Sequence, residues 1–413
     1  MSSTAPASAF ARISQLAADR RVHSAFKWLH LQEPQILRWQ ADLVTVPAPP
    51  FGERPRAEWL CERFRELGLD EVHLDQIGNA VAVRKAVTSP DGGRRCVLIS
   101  AHIDTVFPSD TIIEAKIDGT RLEAPGACDN GAGVVCMLAM AAALTHAGVE
   151  HDCDIVFAGN VGEEGEGDLR GMRYLYESSD FRDSIAAHLV LDGAGHEVAI
   201  THALGSRRYL VTARGPGGHS WTDAGRPNPI VALSRAIASL SEFELAPAPR
   251  TTMNVGTMGG GTAINAIPEQ ASARFDFRST DPQELIRLEV ELYRTVEDAV
   301  MAANTASSGG PATTGGLSFS IEEIGSRPAG ELPEDSPLYE TLRAVDRHLN
   351  IRTERRIAST DANIPLSRGV PAICVGAGGE GGGIHTRAEW YDARGRALGL
   401  RRVLLLLLAL AGC

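Results

Sequence analysis

Short apolar runs alternate with segments of helical periodicity through most of the chain. The apolar runs predict strands at residues 96–100, 155–158, 189–191 and 372–375. Apolar residues at helical spacing predict helices within 32–68 and at 133–147, 169–176 and 338–349. Because these strands are apolar on both faces, they predict an α/β fold with a mostly parallel sheet sandwiched by helices.

The pattern changes near residue 206, where half-buried strands replace fully apolar ones. Residues 251–256 and 271–277 alternate apolar and polar positions, and residues 285–302 predict an amphipathic helix. This mixture predicts a smaller α+β domain inserted into the larger one. The predicted boundaries place the larger domain at 1–205 and 321–413 and the inserted domain at 206–320. Glycine-rich composition predicts a turn at 91–93 and a flexible loop at 306–316.

The composition is typical of a soluble globular protein and narrows the possible partners. Of 413 residues, 44% are hydrophobic and 22% are charged, and the net charge is -12. This charge disfavours a nucleic acid or an anionic membrane as a partner. The seven cysteines are scattered without a C-x-x-C pair, which favours reduced thiols and a cytoplasmic location.

Neither end of the chain predicts a membrane segment. The N-terminus has no basic stretch followed by an apolar run, so no secretory signal is expected. The apolar residues 403–412 are about half the length that spans a bilayer. They therefore predict a buried C-terminal helix, with a membrane tail anchor as the alternative.

Polar residues follow three of the predicted strands. His102 and Asp104 follow the first, Glu163 and Glu164 follow the second, and Asp192 follows the third. In sheets of this kind ligands bind beyond the carboxyl ends of the strands, so we expect these side chains to lie close together.

Five residues form a candidate set of metal ligands. They are His102, Asp129, Glu164, Asp192 and His385. Imidazole and carboxylate ligands suit zinc, with cobalt or manganese as alternatives. Two histidines and three carboxylates exceed the needs of one tetrahedral ion, and they suit two ions bridged by one carboxylate. Taken singly, each residue also fits an ordinary role as a surface pair, helix cap, solvated loop or turn.

The adjacent carboxylates Glu163 and Glu164 directly follow an apolar run. Neighbouring side chains of an extended segment point to opposite sides. Two like charges this close resist ionising together unless a cation or a shared proton helps. The pair is therefore either a solvated loop or one ligand and one base of a metal site. His102 and Asp104 are two positions apart and share one face, so Asp104 can orient the imidazole.

As a set, these motifs resemble the M20 metallopeptidase family, which includes peptidase T, glutamate carboxypeptidase, acetylornithine deacetylase and succinyl-diaminopimelate desuccinylase. The resemblance covers the chain after about residue 33. It rests on His-x-Asp after a strand, an Asp before a small-residue helix, the Glu-Glu pair, a strand-end Asp and a His near the C-terminus. It implies a zinc exopeptidase-like catalytic domain that binds two Zn²⁺ ions.

The resemblance also implies a role for each residue of the set. One metal would be held by His102 and Asp192, and the other by Glu164 and His385, with Asp129 as the bridge. Asp104 would be the orienting carboxylate. Glu163 would be the general base of a metal-assisted amide hydrolysis.

The inserted domain carries a second group of motifs. Gly215-Pro-Gly-Gly-His219-Ser resembles the family's lid motif, which implies that His219 stabilises a tetrahedral oxyanion, across the dimer in dimeric relatives. Asn265 matches a segment that touches substrate, and Arg278 matches a lid arginine that grips a substrate carboxylate. The alternatives are a glycine-rich turn with an exposed histidine for the first motif and a surface salt bridge for Arg278. The segment 359–363 resembles a cleft-lining segment of peptidase T-like members, and we assign it no role beyond binding.

The resemblance implies an enzyme that cleaves the amide bond of a small carboxylate-bearing substrate. Gly-Gly-His-Ser-Trp and Thr-Asp-Ala-Asn favour a peptidase T-like exopeptidase, either an aminopeptidase or tripeptidase or a carboxypeptidase. An N-acyl amino-acid deacylase is the alternative enzyme, because metals and base would be the same. The third hypothesis is a non-catalytic relative that keeps the fold as a binding protein. The expected partners are a small peptide or N-acyl amino acid and a second copy of the chain, bound through the inserted lid and dimerisation domain.

Overall fold

The computed structural model describes residues 8–87, 95–307 and 315–412. The predicted turn at 91–93 and residues 308–314 of the predicted loop lie outside these ranges. Residues 306 and 307 of that loop belong instead to the end of a long helix.

The helices of the described residues are α1 Ala9–Ala18, α2 Arg20–Leu31, α3 Glu33–Val44, α4 Arg54–Glu66, α5 Gly131–Ala147, α6 Arg170–Glu177, α7 Pro229–Ser241, α8 Pro282–Ser307, α9 Pro337–Leu349, α10 Asn363–Ser367 and α11 Arg396–Ala411. The strands are β1 Asp70–Leu74, β2 Ala80–Arg84, β3 Cys96–His102, β4 Lys116–Asp118, β5 Arg121–Glu123, β6 Asp154–Asn160, β7 Ile185–Leu191, β8 Val198–Ala203, β9 Gly205–Arg214, β10 Gly218–His219, β11 Thr252–Gly260, β12 Ala266–Ile267, β13 Gln270–Ser279, β14 Ser318–Arg327, β15 Gly330–Glu331, β16 Glu354–Ala358, β17 Ala372–Val375, β18 Glu380–Gly382 and β19 Trp390–Asp392. The chain divides into two compact units. The first comprises Met1–Ala203 and Gly330–Cys413, and the second comprises Leu204–Ala329.

Among the described residues, the first unit is built on a nine-stranded sheet. Its strands lie in the order β1-β2-β6-β3-β7-β17-β8-β15, and β16 also pairs with β8. Pairing is parallel through the centre, from β6 to β17, and antiparallel on either side of it, except that β16 pairs with β8 in parallel. The predicted α/β class with a mainly parallel sheet is confirmed, and the strands predicted from apolar runs form its centre.

Helices cover both faces of this sheet because the strands are apolar on both sides. On one face, α5 is buried along its length up to Leu144, and α11 is buried from Val403 to Leu408. On the other face, Met172 and Leu175 of α6 pack against the strands. The apolar C-terminal segment is therefore a core helix, as predicted. Within the described residues, no helix has both the length and the apolar character needed to cross a membrane.

The described part of the second unit is an antiparallel sheet with two helices on one face. Strands β11, β13, β9 and β14 lie in that order, and α7 and α8 pack on the sheet. The core between these layers includes Tyr209, Phe275, Phe277 and Leu288. This is the α+β composition expected for the inserted segment.

The second unit ends later than the sequence indicated. The sequence placed the boundary at 320, whereas β14 continues to Arg327 and pairs with β9 in a register that joins Arg327 to Ser206. Residues 321–329 therefore belong to the second unit. Apolar periodicity gives no signal here, since most of β14 is exposed or half-buried.

Candidate metal centre

Three of the five candidate ligands and the candidate base lie at the carboxyl ends of neighbouring strands. His102 is the last residue of β3, the glutamate doublet follows β6, and Asp192 follows β7. Because β6, β3 and β7 are adjacent and parallel, their ends meet at one edge of the sheet. Asp129 precedes α5, and His385 follows β18.

A first cluster consists of His102, Asp129 and Asp192. His102 Nε2 lies 3.1 Å from Asp129 Oδ1 and 3.7 Å from Asp192 Oδ1. The imidazole is almost fully buried, at 2% exposure, whereas the two carboxylates are partly accessible. His102 Nε2 and one oxygen of each carboxylate therefore lie around one common point, where they could bind one ion.

A second cluster consists of Asp129, Glu164 and His385. His385 Nε2 lies 3.1 Å from Asp129 Oδ2 and 3.0 Å from Glu164 Oε1. The ligating atoms of each cluster lie within 4.8 Å of one another. Asp129 belongs to both clusters and directs a different oxygen to each. This is the arrangement that a bridging carboxylate requires.

Asp104 connects the imidazole of the first cluster to the glutamate doublet. Its Oδ1 lies 3.6 Å from His102 Nδ1, the nitrogen that faces away from the cluster. Its Oδ1 and Oδ2 also accept hydrogen bonds from the backbone N–H groups of Glu163 and Glu164, at 3.0 and 2.7 Å. Asp104 is fully buried. Its carboxylate holds the backbone of both glutamates, and its carbonyl oxygen lies 3.2 Å from His102 Nδ1, within hydrogen-bond distance.

Glu163 lies beside the two clusters. Its carboxylate is within 4.8 Å of ligating atoms of His102 and Glu164, and the residue is 7% exposed. The structure thus brings together the two candidate histidine ligands, their three carboxylates, Asp104 and Glu163.

The sequence matches the model of peptidase family M20/M25/M40 over residues 98–409. The chain belongs to this family. The predicted membership is confirmed, and with it the prediction of an enzyme of the M20 metallopeptidase and amidohydrolase type.

Three similar proteins illustrate the range of the family. A peptidase M20 domain-containing protein of Schizosaccharomyces pombe is 27% identical over 254 residues, which are 59% of this chain and only 60% of that protein. The aminopeptidase PepT from Bacillus cereus has a TM-score of 0.72 at 19% identity, with 92% of this chain and 99% of that chain covered. A Bacillus subtilis structure described as a dinuclear metal-binding M20 peptidase has a TM-score of 0.66 at 15% identity, with coverage of 92% and 99%. At these identities the two structures show a shared fold.

The charges of this M20 site depend strongly on one another. Burial alone would lower the pKa of His102, but hydrogen bonds to Asp104, Asp129 and Asp192 outweigh burial and raise it well above its ordinary value. The contact with Asp129 raises the pKa of His385 to about 9. Burial raises the pKa of Glu164, with the Asp129 charge adding to the effect and both histidines opposing it. Without a metal, protons on the imidazoles therefore balance the carboxylates.

Two residues that sequence reasoning did not single out hold the loop that carries Asp129. The buried carboxylate of Glu389 accepts hydrogen bonds from the backbone N–H groups of Gly126, Cys128 and Asp129, at 2.7 to 2.8 Å. Asn130 caps α5 through Gly133 and also donates to the Leu191 carbonyl at 2.8 Å. The cap preference of Asn before a helix is a usable sequence signal, whereas nothing in the sequence connects Glu389 to a loop so distant along the chain.

His219, Asn265 and Arg278 lie in the second unit. His219 ends β10 and is the ladder partner of Ala266 in β12, and Asn265 directly precedes β12. The Ser220 N–H donates to the Asn265 carbonyl at 2.9 Å. Arg278 Nε donates to Asp276 at 2.7 Å, so this arginine takes part in the surface salt bridge that was its alternative reading. The functional roles of these three residues stay predictions.

Proposed function

We propose that this protein is a two-metal exopeptidase of the peptidase T type, which cleaves the amide bond of a small carboxylate-bearing peptide. The observation that carries the proposal is the position of Asp129, whose two oxygens face two separate histidine–carboxylate pairs. The fold likeness to an aminopeptidase and to a dinuclear metal-binding peptidase supports it.

The residues present fit two divalent ions. Ligand atoms around a tetrahedral zinc ion lie roughly 3.4 Å apart, given metal–ligand bonds of about 2.1 Å. The corresponding separations here are 3.1 and 3.7 Å in the first cluster and 3.0 and 3.1 Å in the second. The donors are nitrogen and oxygen, so we propose zinc, with cobalt or manganese as substitutes.

Bound ions would supply a Lewis-acid centre that polarises the substrate carbonyl and acidifies water. The protein's own groups then move the proton. Glu163 accepts it from the attacking water and passes it to the leaving amine. Asp104 keeps the His102 ring and the doublet's backbone in place during these steps.

Metal titration tests the two-ion part of the proposal. Protein stripped with a chelator and titrated with zinc or cobalt should bind about two ions per chain. Asp192→Asn should lower the affinity for one ion. Asp129→Asn should lower the affinity for both, because Asp129 alone belongs to both of these clusters. Binding of one ion, or equal effects of the two variants, contradicts the bridged arrangement.

A substrate panel on the metal-loaded protein tests the peptidase part. Di- and tripeptides should be cleaved, and the same peptides with an amidated C-terminus or a blocked N-terminus should show which charged end is recognised. N-acetyl and N-succinyl amino acids form the comparison set. Release of acetate or succinate from these, with inert peptides, rejects the peptidase in favour of a deacylase.

A further inference from the structure

Asn160 and Asp361 form a buried polar pair in the first unit. Asn160 ends β6, where it is the ladder partner of His102, and its carbonyl accepts from the Ile103 N–H at 2.8 Å. Asp361 lies in the turn before α10 and is 1% exposed. Asn160 Nδ2 donates to Asp361 Oδ2 at 2.7 Å.

The second oxygen of each side chain is unsatisfied. Within the described residues, neither Asn160 Oδ1 nor Asp361 Oδ1 has a hydrogen-bond partner, and both atoms are buried. A buried polar atom without a partner costs about 1–3 kcal/mol, and more when it is charged. Both unsatisfied atoms are hydrogen-bond acceptors, so each of them needs a donor.

We propose that Asp361 is a neutral acid that donates its proton from Oδ1 to Asn160 Oδ1, closing a cyclic acid–amide pair. An amide presents a donor and an acceptor side by side, and so does a protonated carboxyl group. One proton satisfies both orphan oxygens, and the existing bond between Asn160 Nδ2 and Asp361 Oδ2 is kept.

The electrostatic surroundings favour the neutral form. The pKa of Asp361 is raised to about 7, chiefly by burial; His102 and the bond from Asn160 oppose this rise, and the charges of Asp104 and Asp192 contribute to it. The buried Cys374 thiol of β17 is close enough for a charge on Asp361 to raise the pKa of the thiol. The adjoining centre already contains five carboxylates, Asp104, Asp129, Glu163, Glu164 and Asp192. A sixth buried negative charge would be repelled by its neighbours.

The pair is a positioning device. It ties the end of β6, from which the glutamate doublet continues, to the turn before α10, and it adds no charge beside the centre. This assignment goes beyond the proposed hydrolase and concerns only side chains of the chain itself, so it stands or falls independently of the substrate.

Asp361→Asn and Asp361→Ala separate the neutral pair from an ionised one. Asn has the shape of the neutral acid and can make both hydrogen bonds, whereas Ala makes neither. The raised pKa of Asp361 weakens the fold as pH rises from about 4 to about 7, because the unfolded carboxyl ionises first. Metal-free Asp361→Asn should therefore melt a few degrees above the parent at about pH 8, with the difference vanishing near pH 4. Asp361→Ala should melt below the parent at both.

Infrared spectroscopy of the full chain reads the proton directly, and it does so even if both variants fold poorly. With aspartate labelled by ¹³C at its carboxyl carbon, the parent should show the carbonyl band of a protonated aspartic acid near pH 6, one unit below the pKa of Asp361. This band should be absent from Asp361→Asn. No such band in the parent, or an Asp361→Asn variant as unstable as Asp361→Ala at both pH values, overturns the proposal.

Discussion

At the residue scale, Asp104 explains how two adjacent glutamates can have different positions and roles. Each of its oxygens accepts from one N–H of the doublet, and the same group faces the His102 ring. The backbone of the doublet is thus fixed, while the side chains remain available to the clusters. Glu164 contacts His385, and Glu163 lies next to His102 and Glu164.

Replacing Glu163 by Gln should separate binding from catalysis. The amide keeps the size of the side chain but cannot accept a proton, so the rate should fall at least ~100-fold, as is typical when a general base is removed. Metal stoichiometry by titration should stay unchanged. Glu166→Gln, at an exposed position of the same segment, is the matched control and should stay near the parent rate. Metal loss in Glu163→Gln would mean that the roles within the doublet are reversed.

The residue scale also shows where sequence reasoning succeeds and where it stops. The position of His102, Asp192 and the doublet follows from the end of an apolar strand, which periodicity locates well. Glu389 and Asp361, which hold parts of the site in place, come from distant segments of the chain. Only the folded structure shows that Glu389 accepts from the Asp129 N–H and Asp361 from the Asn160 amide. Arg278 is similar: its residue type suits a carboxylate, but a neighbouring Asp276 on the same strand already engages it.

At the element scale, the N-terminus of α5 is joined to the end of β7. Asn130 Oδ1 accepts from the N–H groups of Gly133 and Gly193, and its Nδ2 donates to the Leu191 carbonyl. A side chain at Gly133 would lie 2.2 Å from Asn130 Oδ1, so glycine is required for this close approach. The junction sets the spacing between Asp129 and Asp192, which flank it.

Asn130→Ala should therefore lower both stability and metal affinity. Loss of a helix cap costs about 0.5–2 kcal/mol, measurable by urea unfolding. The control is Asn228→Ala, which removes the cap of α7 in the second unit, where Asn228 accepts from Ile230 and Val231. Its stability loss should be similar, with unchanged zinc affinity. Equal effects of the two variants on zinc would show that the junction does not shape the site.

The sequence predicts which segments of the first unit are strands better than it predicts the order of those strands in the sheet. Apolar runs locate β3, β6, β7 and β17, since each has few polar positions. Their order in the sheet does not follow from the runs, because an apolar run does not specify its partner strand, and β17 pairs with strands that lie far before it in the chain.

At the scale of the whole molecule, the second unit is inserted at one point of the first. Ala203 and Gly330, the residues that flank it, are direct partners in the β8–β15 pair. Within the insertion, Ser206 and Arg327 are likewise partners. The chain therefore leaves and re-enters each unit at adjacent positions.

Excision should consequently leave two folded proteins. Residues 204–329 alone should unfold cooperatively in urea, because the segment has its own core. The remainder, closed between residues 203 and 330 by an Asn-Gly turn, should still bind about two metal ions. Circular dichroism and metal titration measure the two outcomes. A remainder that unfolds without the insertion would show that the first unit depends on it.

Metal and protons should compete across the whole fold. The raised pKa of His385 stabilises the metal-free protein below about pH 6.5, and this stabilisation is lost as pH rises to about 9. The melting temperature of the metal-free protein should thus fall across that interval. Zinc affinity should rise over the same interval, because fewer protons must leave the ligands when the metal binds. An affinity that is independent of pH over this range would contradict the contacts of His385 with Asp129 and Glu164.

The central place of β17 bears on how the protein is made. This strand lies between β7 and β8, yet it leaves the ribosome after both of them. Until residue 375 has emerged, a nascent chain exposes two open strand edges, which invite aggregation and chaperone binding. A chain stalled on the ribosome before residue 372 should therefore capture no zinc, and one released with residue 385 in place should; fluorescence of a zinc indicator during translation would distinguish the two.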